Sequence, residues 1–137
     1  MSQIYFKFKR SPLGCNSFRH TTNKSFWRKC MSSFGKKVCA NPDFEDKIPY
    51  VAQWYVEYDE DLNVSGREIG LDADGKVIVK MPDERNYGFW LDTNMTIEDF
   101  KSEFKIQMIT EREFDNLWNS VTYDIKTGKF FYNINQN

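Results

Sequence analysis

Between Tyr50 and Asp59 the chain alternates so regularly that one side carries Ala52, Trp54, Val56 and Tyr58 and the other Gln53, Tyr55, Glu57 and Asp59. A period of two over ten residues predicts a half-buried strand and is incompatible with an amphipathic helix, whose apolar positions recur every three or four residues. After the polar turn Glu60-Asp61-Leu62-Asn63, the segment Arg67-Glu68-Ile69-Gly70-Leu71-Asp72 alternates again. Asp74-Gly75 supplies the positive φ of a tight hairpin into Val77, Val79 and Met81, and Pro82 ends that third strand. Tyr87-Gly88-Phe89-Trp90-Leu91 offers a short fourth strand.

Two helices follow, each opened by the same device. In Met95-Thr96-Ile97-Glu98-Asp99-Phe100, a Thr N-cap stands three residues before an acid, with Met95 and Phe100 at the two staple positions; Ile109-Thr110-Glu111-Arg112-Glu113-Phe114 repeats it. The first helix presents Ile97, Phe100 and Phe104 to a core, the second Phe114, Leu117, Trp118 and Val121. Between them Lys105–Ile109 reads as a further strand, and Thr127-Gly128 as a turn before Lys129-Phe130-Phe131-Tyr132. Three meandering strands followed by helices predict an α+β fold: an antiparallel sheet with two helices packed on one face.

Charge divides the chain. Residues 1–42 hold nine of the 19 Lys and Arg and no carboxylate, which leaves ten bases against all 20 acids in residues 43–137. A formal net charge of −1 therefore conceals a basic N-terminal arm and an acidic body, and asymmetry of this size points to partners. The reading gives two regions: an arm over 1–42, rich in Ser, Thr, Asn and Lys and poorly ordered, and one α+β domain over 43–137. All three cysteines, Cys15, Cys30 and Cys39, fall in the arm. An odd count argues against a disulfide framework and for a reducing, cytoplasmic setting. With His20 they lack the paired C-x₂₋₄-C knuckle of a zinc site, so no metal is expected. No apolar run reaches the ~18 residues of a membrane span.

Little in the body suits catalysis. It has no His and no Cys, which removes the usual general base and the thiolate nucleophile. Asp72-x-Asp74-Gly75 matches only a fragment of a calcium loop, since Val77-Ile78-Val79 follows where oxygen ligands belong. No phosphate-cradling Gly-rich loop occurs. The prediction is a protein that is not an enzyme and needs no cofactor. What remains is an acidic, aromatic-bearing surface formed by Tyr55, Glu57, Asp59, Glu60 and Asp61, with Asp72 and Asp74 added at the next turn. Such a surface suits a basic protein partner, and it serves equally to keep a small protein soluble. The arm offers a second route, in which Arg19, Lys24, Trp27, Arg28, Lys29, Lys36 and Lys37 touch phosphates and bases of a nucleic acid while the body recruits another protein.

The order Trp54-Tyr55-Val56-Glu57, Arg67-Glu68-Ile69-Gly70-Leu71-Asp72, Asp74-Gly75-Lys76, Pro82 and Glu113-Phe114-x-x-Leu117-Trp118 resembles small immunity proteins encoded beside bacterial polymorphic or contact-dependent toxins. The likeness runs from about Tyr50 to Val121 and leaves out the arm. It implies a non-catalytic cytoplasmic protein that binds one cognate toxin domain, often a basic nuclease, and blocks its active site or substrate path. It brings no catalytic residues with it.

Overall fold

The structure, a computed structural model, describes residues 2–10, 41–87 and 96–134. The alternating segments form the expected meander: β2 (Gln53–Asp59), β3 (Val64–Leu71) and β4 (Val77–Met81) pair antiparallel in sequence order. Gly75, at φ 82°, makes the β3–β4 turn. Gly70 is needed for a different reason. A Cβ there would stand 2.7 Å from Val51 Cγ2, so the strand is bare where the incoming chain crosses it.

The sheet has five strands, in the order β4-β3-β2-β1-β5. β1 is Gln3–Lys9, and β5 is the three-residue strand Gln107–Ile109. β1 lies between β2 and β5, antiparallel to both, with Phe6 opposite Val56 on one side and Met108 on the other. This displaces the boundary expected at residue 43. The first strand belongs to the domain because Tyr5, Phe6 and Phe8 are all buried in it, and each large apolar side chain taken from water contributes about 1.5–3 kcal/mol. Residues 11–40 of the expected arm lie outside the described residues, as do 88–91 of the candidate fourth strand and the staple residue Met95.

The α+β class with an antiparallel sheet is as expected, but the two helices lie on opposite faces. Neighbouring residues of a strand point to opposite sides. Phe6 meets Phe100 of α1 (Ile97–Glu103) at 5.1 Å between ring centroids, whereas Tyr5 meets Phe114 of α2 (Glu111–Ser120) at 5.5 Å. The sheet is thus covered on both faces. The α1 side holds Phe8, Trp54, Val56 and Tyr58, with Phe44, Ile48 and Val51 from the chain entering β2. The α2 side holds Ile69, Leu71, Val77 and Val121.

Both helix starts follow the sequence. Thr96 Oγ1 accepts from Asp99 N–H at 3.3 Å while Asp99 Oδ2 accepts from Thr96 N–H at 2.8 Å, and Thr110 Oγ1 accepts from Glu113 N–H at 3.1 Å. Val121, expected in the last turn of α2, instead starts β6 (Val121–Asp124), which pairs with β7 (Lys129–Tyr132) as a separate hairpin. Among the described residues no helix is long and apolar enough to cross a membrane.

A chain beginning at residue 43 loses three buried rings, about 1.5–3 kcal/mol each, from a domain whose total stability is of order 5–15 kcal/mol. Such a truncation is expected to show no cooperative thermal transition by circular dichroism. A sharp melt close to that of the full chain would contradict the placement of β1.

Candidate functional site

The seven carboxylate and aromatic residues singled out in the sequence fall in three separate places. Tyr55 and Glu57 lie mid-strand under α2, and neither is displayed. Glu57 is only 8% exposed. Its Oε2 accepts from Arg67 Nε at 3.1 Å and Nη2 at 2.6 Å, and Nη2 also donates to Asp115 on α2 at 2.8 Å. The guanidinium stacks on Phe114 and Trp118, 4.8 and 5.1 Å from their ring centroids. Burial works against its charge, and the bonds from Glu57 and Asp115 outweigh burial and raise its pKa. Burial first, then the Glu57 charge and hydrogen bond, push the Tyr5 phenol up to about 12. Gly66 leaves room for the Glu57 carboxylate, since a Cβ there would stand 2.6 Å from Oε1. Tyr55 is half-buried beneath Lys7, whose Nζ sits 5.4 Å above the ring and donates to Glu113 at 3.2 Å.

The outward face expected for β2 is therefore an internal polar layer between sheet and helix. Alternation correctly separates its two sides; it does not show that α2 returns to cover the second one. Lys80 completes the layer. Its ammonium is buried 4.5 Å over Trp118 and donates to the Val121 carbonyl at 3.1 Å, and burial lowers its pKa.

The second place is the β2–β3 turn at one end of the sheet. Asp59 is half-buried there, and its Oδ1 accepts from Asp61 N–H at 2.9 Å and Leu62 N–H at 3.1 Å, which fixes the turn. Glu60, Asp61 and Leu62 are exposed, Leu62 to 70%. Ser2, just before β1, ties the turn down. Its N–H donates to Asp61 Oδ2 at 3.0 Å, its hydroxyl to Glu60 Oε2 at 2.7 Å, and Glu60 N–H donates back to the Ser2 carbonyl at 3.0 Å.

Two acids not singled out for binding in the sequence join this end. Burial raises the pKa of the Tyr58 phenol, and the charges of Asp99, Glu98, Glu60 and Asp59 raise it further. Tyr58 also meets Phe100 of α1 edge-on at 5.8 Å between ring centroids, which brings the start of that helix beside the turn. Glu98 and Asp99 carry the signature of a helix cap, and only the tertiary placement of α1 beside the turn adds them to the surface.

The third place is the β3–β4 turn, at the opposite end of the eight-residue β3 and so roughly 23 Å away. Asp72 and Asp74 line a cleft of about 410 Å³ there with Lys47, Tyr50, Ala73 and Ile78. The nucleic-acid candidates Arg19, Lys24, Trp27, Arg28, Lys29, Lys36 and Lys37 lie outside the described residues, as do Cys15, His20, Cys30 and Cys39. No family model, curated protein or solved structure matches the chain.

Arg67→Ala strands the buried Glu57 carboxylate and is expected to cost about 3 kcal/mol in urea unfolding. Arg67→Met combined with Glu57→Leu, which removes both charges and keeps the volume, is expected to recover most of that loss. Equal destabilisation in both variants would mean that Arg67 acts through its stacking on α2 rather than through the charge pair.

Proposed function

We propose that the protein is a non-catalytic immunity protein that binds and neutralises a bacterial toxin domain, a basic nuclease, through the acidic end of its sheet. The observation that carries this reading is the grouping of Glu60 and Asp61, tied down by Ser2 at the β2–β3 turn, with Glu98 and Asp99 at the start of α1, which Phe100 packs against Tyr58. Several of the body's cations are engaged away from this end. Arg67 is held by Glu57 and Asp115, Arg85 by Asp43, Lys7 by Glu113, and the Lys80 ammonium is buried. Complementary charge speeds encounter with a basic partner, and the exposed Leu62 gives a partner one apolar contact inside the acidic rim.

Blocking a nuclease in this way needs no chemistry from the inhibitor. A set of carboxylates competes with the phosphates of the nucleic acid for the same basic groove. Tyr55, Glu57 and Asp59 drop out as contact residues because packing and turn formation already occupy them. Glu60 and Asp61 remain from the expected set, Glu98 and Leu62 join them, and Asp99 contributes charge from its cap position.

The test is co-expression of the full chain with the toxin C-terminal domain encoded beside it, followed by co-purification. The wild type is expected to protect cells and to form a complex that weakens as salt is raised, because exposed charge pairs are screened. Glu60→Lys with Glu98→Lys is expected to weaken the complex at least tenfold, about 1.4 kcal/mol. Killing with no complex from the wild-type pair would overturn the immunity reading. A complex of undiminished affinity in the double variant would remove this end of the sheet from the interface.

A further inference from the structure

We infer that the cleft at the β3–β4 end of the sheet takes the side chain of an arginine presented by a basic protein partner; the inference rests on the proposed reading for the kind of partner. The cleft is open to solvent and holds about 410 Å³, room for one long side chain laid along it. Its walls are of three kinds that an arginine side chain needs together. Tyr50 offers an aromatic face and is 73% exposed. Ala73 and Ile78 offer aliphatic surface to the methylene stem, and Asp72 and Asp74 offer carboxylates to the guanidinium. A flat cation that stacks on a ring while donating in a fork to carboxylate oxygens is arginine rather than lysine, whose ammonium is a compact point charge.

The cleft is also prepared in advance. Asp72 Oδ1 accepts from the N–H groups of Asp74 and Lys76, each at 2.9 Å, and Gly75 N–H donates to the Asp72 carbonyl at 3.0 Å, so the turn is fixed before any partner arrives. Tyr50 ends the 3₁₀ turn Ile48–Tyr50, with its N–H bonded to the Lys47 carbonyl at 2.9 Å. A backbone already fixed loses little further entropy on binding.

Lys47 also lines the cleft, but its charge is engaged on the far side. Its ammonium donates to the Gly128 carbonyl at 3.2 Å and lies 5.6 to 5.8 Å from the centroids of Tyr123, Phe44 and Phe130. The charge is thus drawn onto the rings, and the two carboxylates retain their excess at the cleft.

The experiment is an NMR titration of the full ¹⁵N-labelled chain with N-acetyl-arginine methylamide, using the neutral isostere N-acetyl-citrulline methylamide as control. For a probe of this size a dissociation constant on the order of 1 mM is expected, with saturable shifts at the amides of Tyr50, Asp74, Gly75 and Lys76. Citrulline is expected to bind at least tenfold more weakly. Asp72→Asn with Asp74→Asn keeps the turn's acceptors and is expected to abolish the shifts, while Tyr50→Ala is expected to weaken binding about threefold. No saturable shift at these amides, shifts undiminished in the Asn variant, or saturation only at the Asp59–Asp61 turn would each overturn the inference. Because no toxin is present, failure here leaves the co-expression result standing, and failure of co-expression leaves this binding measurement standing.

Discussion

The pairing of β1 between β2 and β5 is the contact on which the rest of the molecule depends. One strand supplies rings to both sides of the sheet, Phe6 and Phe8 toward α1 and Tyr5 toward α2. Without it β5 would lose its only strand neighbour among the described residues, and each helix would lose an aromatic partner. Its start also secures the acidic turn through Ser2, so the same strand that organises the core places the surface charge.

The two faces of the sheet are packed by different means. The α1 face is a cluster of aromatic rings with centroids 4.8 to 6.4 Å apart, the spacing at which tilted and offset pairs add to simple burial. The α2 face is built around Arg67, whose charge is met by Glu57 and Asp115 and whose plane lies on Phe114 and Trp118. Such a layer contributes less net stability than an apolar one, because desolvation of the ions offsets much of their attraction. It does fix how α2 sits on the sheet, since sliding the helix by one turn would leave Arg67 and Glu57 without their third partner. Arg67 is thereby engaged inside this layer, away from the acids at the two ends of the sheet.

Much of the fold was legible in the sequence. The meander from Gln53 to Met81, the Asp74-Gly75 turn and both Thr-capped helices follow from local rules of alternation, turn chemistry and capping. β1 is harder to read from the sequence, although Ile4, Phe6 and Phe8 alternate with Tyr5, Lys7 and Lys9, because its lysines and acid-free surroundings match those of a basic extension. Periodicity gives each helix an apolar stripe without saying which side of the sheet receives it, so the expected packing of both helices on one face does not follow from the sequence. The candidate site was legible only in part. Glu60, Asp61, Asp72 and Asp74 lie at turns, where polarity and exposure coincide. Tyr55 and Glu57 are not legible as interior residues, because a polar residue on a strand's second face reads as solvent-facing until the covering helix is known. Glu98 and Asp99 reach the acidic end only through the tertiary position of α1.

Native-state hydrogen–deuterium exchange of the full chain tests the central role of β1 most directly. If β1 is an integral inner strand, the hydrogen-bonded amides between Ile4 and Phe8 exchange only through global unfolding, with protection within about tenfold of the best-protected amides of β2 and β3. Exchange of those amides through local opening, orders of magnitude faster than in β2 and β3, would show that the first strand is an appendage and that the two-faced core forms without it.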